Sequence, residues 1–212
     1  MKVLIAVPCM DSVPAQFAQS LAVLTKVENC AIAFQVGSLI YTSRNNLASM
    51  AVQKEVDYVL WLDSDMIFPP DVLVKLLEDR EKGDIITGIY YRRVQPFKPV
   101  LFKKLQIIDD GCDWAGYDDY PSEDLFEVEG CGFGCVLTPT SVLVDVLQKY
   151  GDMFSPINGA GEDLSFCWRA RQLGYKIMCD PNIQCGHVGH YIVDKEFFET
   201  YRKTRKDEIK DN

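Results

Sequence analysis

The sequence lacks the features that bring a protein to a membrane or to a nucleic acid. No apolar run approaches the roughly 20 residues that a helix needs to cross a bilayer, and the apolar stretch that opens the chain ends at Pro8. The 22 lysines and arginines are outnumbered by 31 aspartates and glutamates, which gives a net charge of -9. This balance disfavours binding to nucleic acids or anionic membranes. We expect a cytoplasmic protein without a transmembrane segment.

Histidine is scarce, since the chain has only two, but cysteine is not, with eight. The even count could indicate disulfides. Because the chain is long, shows no secretion signal and places most cysteines in apolar segments, we expect reduced, buried thiols instead. The alternative is a tetrahedral zinc site drawn from Cys131, Cys135, Cys179, Cys185, His187 and His190. Their spacings lack the close ligand pairs typical of such sites.

The hydrophobic pattern alternates between strand and helix through the first part of the chain. It predicts strands at 3–7, 31–36, 57–62 and 84–90, and helices at 14–27, 42–55 and 70–82. This order predicts an α/β fold, in which a mostly parallel sheet has helices on both faces.

The second half of the sequence is less regular. Residues 92–129 are rich in Asp, Gly, Pro and Tyr. Around and beyond them the pattern predicts strands at 100–103, within 126–137 and at 175–179, and helices at 141–150 and 161–173. We expect one domain over residues 1–193 and a charged helical tail over residues 194–212. Aromatic residues near the start of the tail either dock it on the domain or form an oligomer contact; they are Phe197, Phe198 and Tyr201.

Two aspartates separated by one residue give the strongest chemical signal. Asp63 and Asp65 directly follow the apolar strand at 57–62. Because side chains alternate along an extended chain, both carboxylates can point to the same side, at the strand end where open α/β sheets bind ligands. Oxygen ligands of this kind bind Mg²⁺ or Mn²⁺. Capping of the next helix does not explain them, because that helix begins only near Pro70.

An acidic pair, Glu162 and Asp163, opens a later helix. The helical period places Asp163 on the same face as Phe166, opposite a polar side made of Ser165, Arg169 and Gln172. It therefore predicts a carboxylate that points inward. Two explanations remain open: Asp163 caps the helix and interacts with its dipole, or it faces a cleft and acts as a base.

His187 follows a strand-like stretch and is flanked by Gly186. It is either an ordinary packing histidine or a further metal ligand that joins Asp65 from far away in the sequence. The residues alone leave both alternatives open.

Taken together, these segments resemble glycosyltransferases of the GT-A fold, close to the inverting family-2-type nucleotide-sugar transferases. The first strand, which ends at Pro8, looks like the family's strand that opens onto the nucleotide. Ser43-Arg44-Asn45 is similar to its small-Arg-Asn signature, and Asp63-Ser64-Asp65 to its Asp-x-Asp motif. Glu162-Asp163 resembles its late acidic pair, and His187 lies where many members place a metal-binding histidine.

The resemblance implies a GT-A-like fold, with a Rossmann-like nucleotide-binding half and an irregular acceptor half. It implies that the protein uses Mn²⁺ or Mg²⁺ to transfer a sugar, with inversion, from a nucleotide-sugar donor to an unidentified acceptor hydroxyl. The residues implied at the nucleotide are Pro8, Arg44, Asn45 and Asp63; those at the metal are Asp63, Asp65 and His187; the catalytic pair is Asp163, as the base, and Glu162.

The sequence also departs from the family. The Gln-x-x-Arg-Trp motif of processive synthases is absent, so we do not expect polymer synthesis. Residues 92–129 resemble no known segment and would shape acceptor choice. There, Trp114, Tyr117 and Tyr120 either stack on a sugar or pack the segment down. The glycines of 130–134 indicate either a flexible floor under the donor sugar or a bulged strand.

Two other functions remain as alternatives. Nucleotidyltransferases that make nucleotide sugars have a similar layout, but they carry a glycine-rich, basic loop after the first strand, and residues 9–13 contain no Gly, Lys or Arg. A catalytically inactive nucleotide- or sugar-binding module is the second alternative. The presence of Asp63, Asp65, Asp163 and His187 together disfavours it.

Overall fold

A computed structural model describes residues 1–189 and 192–210, with side chains up to residue 204. No helix in these ranges is long and apolar enough to span a bilayer. The strands are β1 (Val3–Cys9), β2 (Cys30–Val36), β3 (Tyr58–Leu62), β4 (Met66–Ile67), β5 (Ile85–Ile89), β6 (Leu101–Ile108), β7 (Gly111–Gly116), β8 (Phe126–Val128), β9 (Gly130–Cys131), β10 (Cys135–Pro139), β11 (Ile177–Gln184), β12 (Gly186–Val188) and β13 (Ile192–Val193). The helices are α1 (Ala15–Val23), α2 (Ile40–Gln53), α3 (Val72–Glu78), which continues into a 3-10 turn (Asp79–Glu81), α4 (Thr140–Tyr150), α5 (Glu162–Gln172) and α6 (Lys195–Lys210).

The centre of the molecule is a seven-stranded sheet with the order β2-β1-β3-β10-β5-β11-β8. β1 pairs in parallel with β2 and β3, and β11 pairs in parallel with β5. β10 runs antiparallel between β3 and β5, and β8 runs antiparallel beside β11. Strands β1, β2, β3, β5 and β11 therefore all point the same way. The predicted mostly parallel sheet is confirmed.

Helices cover both faces of this sheet, which explains why β1 is apolar and buried along its whole length. On one face, Phe17 of α1 and Leu76 of α3 belong to one hydrophobic core. On the other, Leu47 of α2, Leu143 of α4 and Phe166 of α5 belong to a second core. The predicted α/β class, with helices on both faces, is confirmed.

A small second sheet, with the order β13-β12-β4, brings distant segments together. In this sheet His187 pairs with Met66 on one side and with Val193 on the other. The backbone N–H of Val188 donates to the carbonyl oxygen of Asp65 at 2.8 Å. The segment that follows β3 is thereby fixed beside the segment that follows β11. This pairing brings Asp65 and His187, two of the predicted site residues, close together.

The structure corrects the interpretation of residues 92–129 as irregular. Within this range β6 and β7 form an antiparallel hairpin, and β9 pairs with its first strand. In β6 the buried Phe102 is followed by the exposed Lys103 and Lys104 before the buried Leu105, and the register shifts between residues 102 and 104. Because this irregularity breaks the alternation of apolar and polar residues, the sequence pattern revealed only a short strand.

The helix α6 docks on the rest of the protein through aromatic rings. Phe198 stacks on Tyr91, with ring centroids 4.6 Å apart and an interplanar angle of 19°. Phe197 and Tyr201 meet Phe97 edge to face, at centroid distances of 5.0 and 4.9 Å. The aromatic residues at the start of the tail thus have a docking role.

The glycines before β10 provide space for the buried Tyr90. The hydroxyl of Tyr90 accepts a hydrogen bond from the N–H of Gly134 at 3.3 Å. A Cβ atom on Gly132 would lie 2.0 Å from that hydroxyl oxygen, and one on Gly134 would lie 2.8 Å from the tyrosine ring. The structure therefore gives these glycines a packing role.

We predict that Gly132→Ala lowers the free energy of unfolding by about 1–3 kcal/mol, because Tyr90 has to move in a packed interior. Gly116→Ala is the matched control, since its Cβ would meet only an ordinary contact, 3.5 Å from the carbonyl oxygen of Leu101. Urea unfolding followed by circular dichroism measures both variants. Equal stability of Gly132→Ala and the wild type would contradict the packing role.

Candidate functional site

A cleft of about 350 Å³ opens where β1 and β3 end. Ligands bind at this edge in open α/β sheets, because the carboxyl ends of parallel strands and the starts of the following helices meet there. The lining residues are Pro8, Cys9, Met10, Ser38, Ile40, Ser43, Arg44, Asp63, Ser64, Asp65, Arg93, Glu162, Asp163 and His187. All of the predicted site residues except Asn45 are among them.

Asp65 and His187 form a pair in this cleft. Nε2 of His187 lies 3.4 Å from Oδ2 of Asp65, and the same oxygen accepts a hydrogen bond from Arg93. Burial raises the pKa of Asp65, but the hydrogen bond and charge of His187 and the charge of Arg93 outweigh burial, so the net pKa is lowered. Burial lowers the pKa of His187, but Asp65 outweighs it and the net pKa is raised. Each member of the pair therefore favours the charged form of the other.

The backbone carbonyl of Tyr91 orients the ring of His187. Nδ1 of His187 lies 2.9 Å from this oxygen, and because a carbonyl only accepts, Nδ1 carries the proton. In the neutral ring, Nε2 then presents its lone pair toward Asp65. Histidines that bind metals typically have this arrangement, in which the second ring nitrogen donates to a carbonyl or carboxylate.

Arg44 holds the two other acidic segments of the cleft together. Its guanidinium donates to Asp63 at 2.8 Å and to Glu162 at 3.4 Å, although its side chain is only 2% exposed. The same group lies 5.9 Å from the ring centre of Trp61 and 5.3 Å from that of Phe133. Burial lowers the pKa of Arg44, but the three nearby carboxylates outweigh burial and raise it, so the side chain stays charged.

Asp163 lies in the first turn of α5 with a partly buried side chain. One carboxylate oxygen accepts the N–H of Leu164 at 2.7 Å. Burial first, and then the charge of Glu162, raise the pKa of Asp163 to about 7. The helix N-terminus favours the charged form, but burial prevails. A carboxylate with a pKa near neutrality in a cleft is suited to proton transfer.

Two of the three residues on the expected polar side of α5 are buried, whereas Gln172 is exposed as expected. Ser165 is 0% and Arg169 is 5% exposed. The hydroxyl of Ser165 accepts the N–H of Ile157 at 3.0 Å, and Arg169 donates to the carbonyl of Met153 at 3.0 Å. These polar side chains bind the loop before α5, which the helical period alone does not reveal.

The cleft favours a cation, but the protein alone does not form a complete metal site. Within residues 1–189 and 192–210, no three His, Cys, Asp or Glu side chains converge on one metal position. Asp65 and His187 offer one oxygen and one nitrogen, a ligand pair that suits Mn²⁺, whereas Asp63 is paired with Arg44. The carboxylates in the cleft outnumber its two arginines, so the residues present fit a bound divalent cation.

The eight cysteines are all free thiols, as expected. Burial raises the pKa of Cys179 well above its ordinary value. The part of the chain that the structure describes holds no zinc-type cluster. His190, named above as one zinc ligand, lies outside the described residues.

Three residues considered above as candidates for ligand binding, Asn45, Tyr117 and Tyr120, contact other residues of the protein. Asn45 lies outside the cleft: its side-chain oxygen accepts the N–H of Phe154 at 3.0 Å, and its nitrogen donates to Asp152 at 3.4 Å. Tyr117 and Tyr120 both pack on Phe126.

Trp114 is 48% exposed and meets Phe102 edge to face. Arg92 approaches the same ring, with its guanidinium carbon 5.9 Å from the centroid.

Sequence reasoning missed Arg93, the arginine that pairs with Asp65. Arg93 lies shortly after β5, in the segment interpreted as acceptor-binding. The one sequence signal for a role in the cleft is its position after a strand, because ligands bind at the carboxyl ends of such strands. Met10, Ser38 and Ile40 were missed as well, because no motif marks them. They line the cleft because the ends of β1 and β2 and the start of α2 lie side by side.

No protein-family model matches the sequence. Solved structures do resemble the fold. A197 from STIV aligns with a TM-score of 0.65 and 19% identity, over 89% of this chain and 86% of that one. GalNAc-T7 with UDP, GalNAc and Mn²⁺ aligns with a TM-score of 0.58 and 11% identity, over 89% of this chain and 44% of that one. The chain has a GT-A-like fold. At these identities the likeness shows the fold alone.

We predict that Asp163→Asn makes the metal-free protein more stable at pH 8 and leaves its stability unchanged near pH 4. A carboxyl whose pKa rises on folding, here from 3.8 to about 7, stabilises the fold while protonated and loses that contribution as pH rises through 7. The gain at pH 8 is at most about 4 kcal/mol. Urea unfolding in EDTA across this pH range measures it.

The control is Asp109→Asn, because Asp109 lies in an exposed hairpin turn. This variant should change the free energy of unfolding by the same amount at both pH values. A pH-independent difference for Asp163→Asn would show that the Asp163 carboxyl is not perturbed by folding.

Proposed function

We propose that this protein is a metal-dependent glycosyltransferase, which moves a sugar from a nucleotide-sugar donor to an acceptor hydroxyl with inversion, like the family-2-type enzymes that its sequence resembles. One observation carries the proposal: a single cleft at the ligand-binding edge of a GT-A-like sheet gathers Asp63, Asp65, Glu162, Asp163 and His187. The structural neighbour GalNAc-T7, solved with UDP, GalNAc and Mn²⁺, supports this class of chemistry.

In this proposal Asp65 and His187 hold Mn²⁺ or Mg²⁺, and Asp63 contacts the ribose or a water bound to the cation. When bound, the cation supplies Lewis acidity that stabilises the charge on the departing nucleoside diphosphate. The Tyr91 carbonyl keeps Nε2 of His187 available as a ligand. Arg93, which pairs with Asp65 in the structure, becomes free to pair with the diphosphate.

Asp163 is the proposed base, with Glu162 beside it. An acceptor hydroxyl is a poor nucleophile until a base accepts its proton, and a pKa of about 7 suits a carboxylate to that transfer at neutral pH. The contact of Glu162 with Arg44 fixes the start of α5, and thereby the place of Asp163.

Uncharged residues line the cleft together with the acidic ones. Pro8, Met10, Ser38 and Ile40 lie at the end of β1 and around the start of α2. We propose that the nucleoside lies there, with its diphosphate toward Arg93. We also propose one catalytic domain, residues 1–193, with 194–212 as an appended helix, in a cytoplasmic protein.

We predict that Mn²⁺ together with a nucleoside diphosphate raises the melting temperature more than the sum of the separate effects, because the cation joins the diphosphate to Asp65 and His187. A ligand that binds only the folded state stabilises it. Differential scanning fluorimetry with UDP, GDP and ADP measures the shift. Asp65→Asn and His187→Gln should abolish the Mn²⁺-dependent part, whereas Asp109→Asn should retain it. A nucleotide shift that is independent of metal would refute the proposed metal site.

We predict that Asp163→Asn slows sugar transfer by about 10²–10⁴-fold, the usual contribution of a positioned base, but retains Mn²⁺-dependent nucleotide binding. The assay measures nucleoside diphosphate release from a panel of nucleotide sugars and acceptors. Unchanged transfer would exclude Asp163 as the base. Pyrophosphate release from a nucleoside triphosphate and a sugar phosphate would instead identify a nucleotidyltransferase, and binding without turnover an inactive module.

A further inference from the structure

Tyr91 connects the C-terminal part of the chain to the Asp65–His187 pair. Its backbone carbonyl accepts the Nδ1 proton of His187 at 2.9 Å. Two residues later in the same segment, Arg93 reaches Asp65. The position of Tyr91 therefore affects both members of the pair.

The main chain and the side chain of Tyr91 together fix this position. Tyr91 lies beyond the end of β5, where it forms an antiparallel bridge to Pro99; the N–H of Val100 donates to the carbonyl of Tyr90 at 3.0 Å, and the N–H of Arg92 to the carbonyl of Lys98 at 3.0 Å. Its ring is 0% exposed and stacks on Phe198 of α6, at a centroid distance of 4.6 Å. Its hydroxyl shares a 2.5 Å hydrogen bond with the hydroxyl of Tyr120. A stacked ring and a bonded hydroxyl together restrict where the Tyr91 carbonyl can point.

Phe198 is itself firmly held. It is 5% exposed, and the guanidinium of Arg202 lies 5.6 Å from its ring centre. The helix that carries it begins shortly after β13, whose Val193 pairs with His187. The C-terminal part of the chain therefore acts on His187 in two ways: directly through the pairing with Val193, and indirectly through Phe198, which stacks on Tyr91.

We propose that α6 supports the metal site and that Phe198 is a positioning residue, which acts through Tyr91 to keep Nε2 of His187 directed at Asp65. The proposal rests on the proposed metal-dependent function. Loss of the ring would let Tyr91 shift and weaken its bond to Nδ1, so that the imidazole could adopt the other tautomer and other orientations. Groups that orient metal-binding histidines typically change metal affinity about 10–100-fold. Because Phe198 acts through an intervening residue, we expect an effect of about tenfold.

The test compares Phe198→Ala with Tyr201→Ala in the full-length chain. Tyr201 docks the same helix, but on Phe97, at a centroid distance of 4.9 Å, so its removal weakens docking without removing the ring on Tyr91. Mn²⁺ affinity is measured by electron paramagnetic resonance titration. We expect Phe198→Ala to bind Mn²⁺ about tenfold more weakly than the wild type, with Tyr201→Ala within about twofold. Phe198→Tyr, which keeps the ring, should restore the affinity. Unchanged affinity in Phe198→Ala, or equal losses in both alanine variants, would overturn the proposal.

A second measurement needs no metal. In ¹⁵N-labelled protein, at a pH where the ring is neutral, imidazole correlation spectra report which nitrogen of His187 carries the proton, and His187→Gln identifies its signals. We expect the Nδ1–H form in the wild type and in Tyr201→Ala, and an added Nε2–H population in Phe198→Ala. If wild-type protein does not bind Mn²⁺, the proposed function fails, and this spectrum still decides the positioning role. A tautomer unchanged by Phe198→Ala would overturn that role.

Discussion

The cleft depends on a balance between crowded carboxylates and the few cations that face them. Asp63 and Glu162 approach one another from distant parts of the chain because the buried Arg44 bonds to both. Removing one partner from a buried ion pair typically costs about 3–5 kcal/mol, since the other charge is left without compensation. Aromatic rings enclose the guanidinium, at centroid distances of 5.9 Å for Trp61 and 5.3 Å for Phe133. The start of α5 and the end of β3 are joined through this group.

The pKa values of the two other carboxyl groups in the cleft, Asp65 and Asp163, are shifted in opposite directions. Asp65, which faces Arg93 and His187, has its pKa lowered. Asp163, which is partly buried beside Glu162, has its pKa raised to about 7. When neighbouring carboxyls have pKa values shifted in opposite directions, one is suited to bind a cation and the other to exchange a proton. The two proposed tasks, holding a metal and activating a hydroxyl, therefore follow from two environments within one cleft.

Much of the fold followed from local patterns. The all-apolar β1 and the alternation of strand and helix that follows it predicted a parallel sheet, because strands buried on both faces need continuous apolar runs. For β6 the pattern predicted only residues 100–103, because two adjacent lysines and a register shift disturb the alternation. It missed β4 and β13, which are two residues long and too short to show any period. The contacts of Arg93 with Asp65 and of Asn45 with Asp152 could not be predicted for a related reason: the partners are distant in sequence.

The sequence by itself determined the mostly parallel sheet and the acidic residues at its edge, and these residues led to the prediction of a cation ligand. Strand propensity, helical period and ligand chemistry are local properties, so they can be predicted from neighbouring residues. Only the tertiary structure decided which side chains meet: Asp65 with His187, Asp63 with Arg44, and the ring of Tyr91 with that of Phe198. Each of these contacts joins segments far apart in the chain, and its geometry depends on how the whole sheet and its helices pack. The cleft is therefore a product of the complete fold.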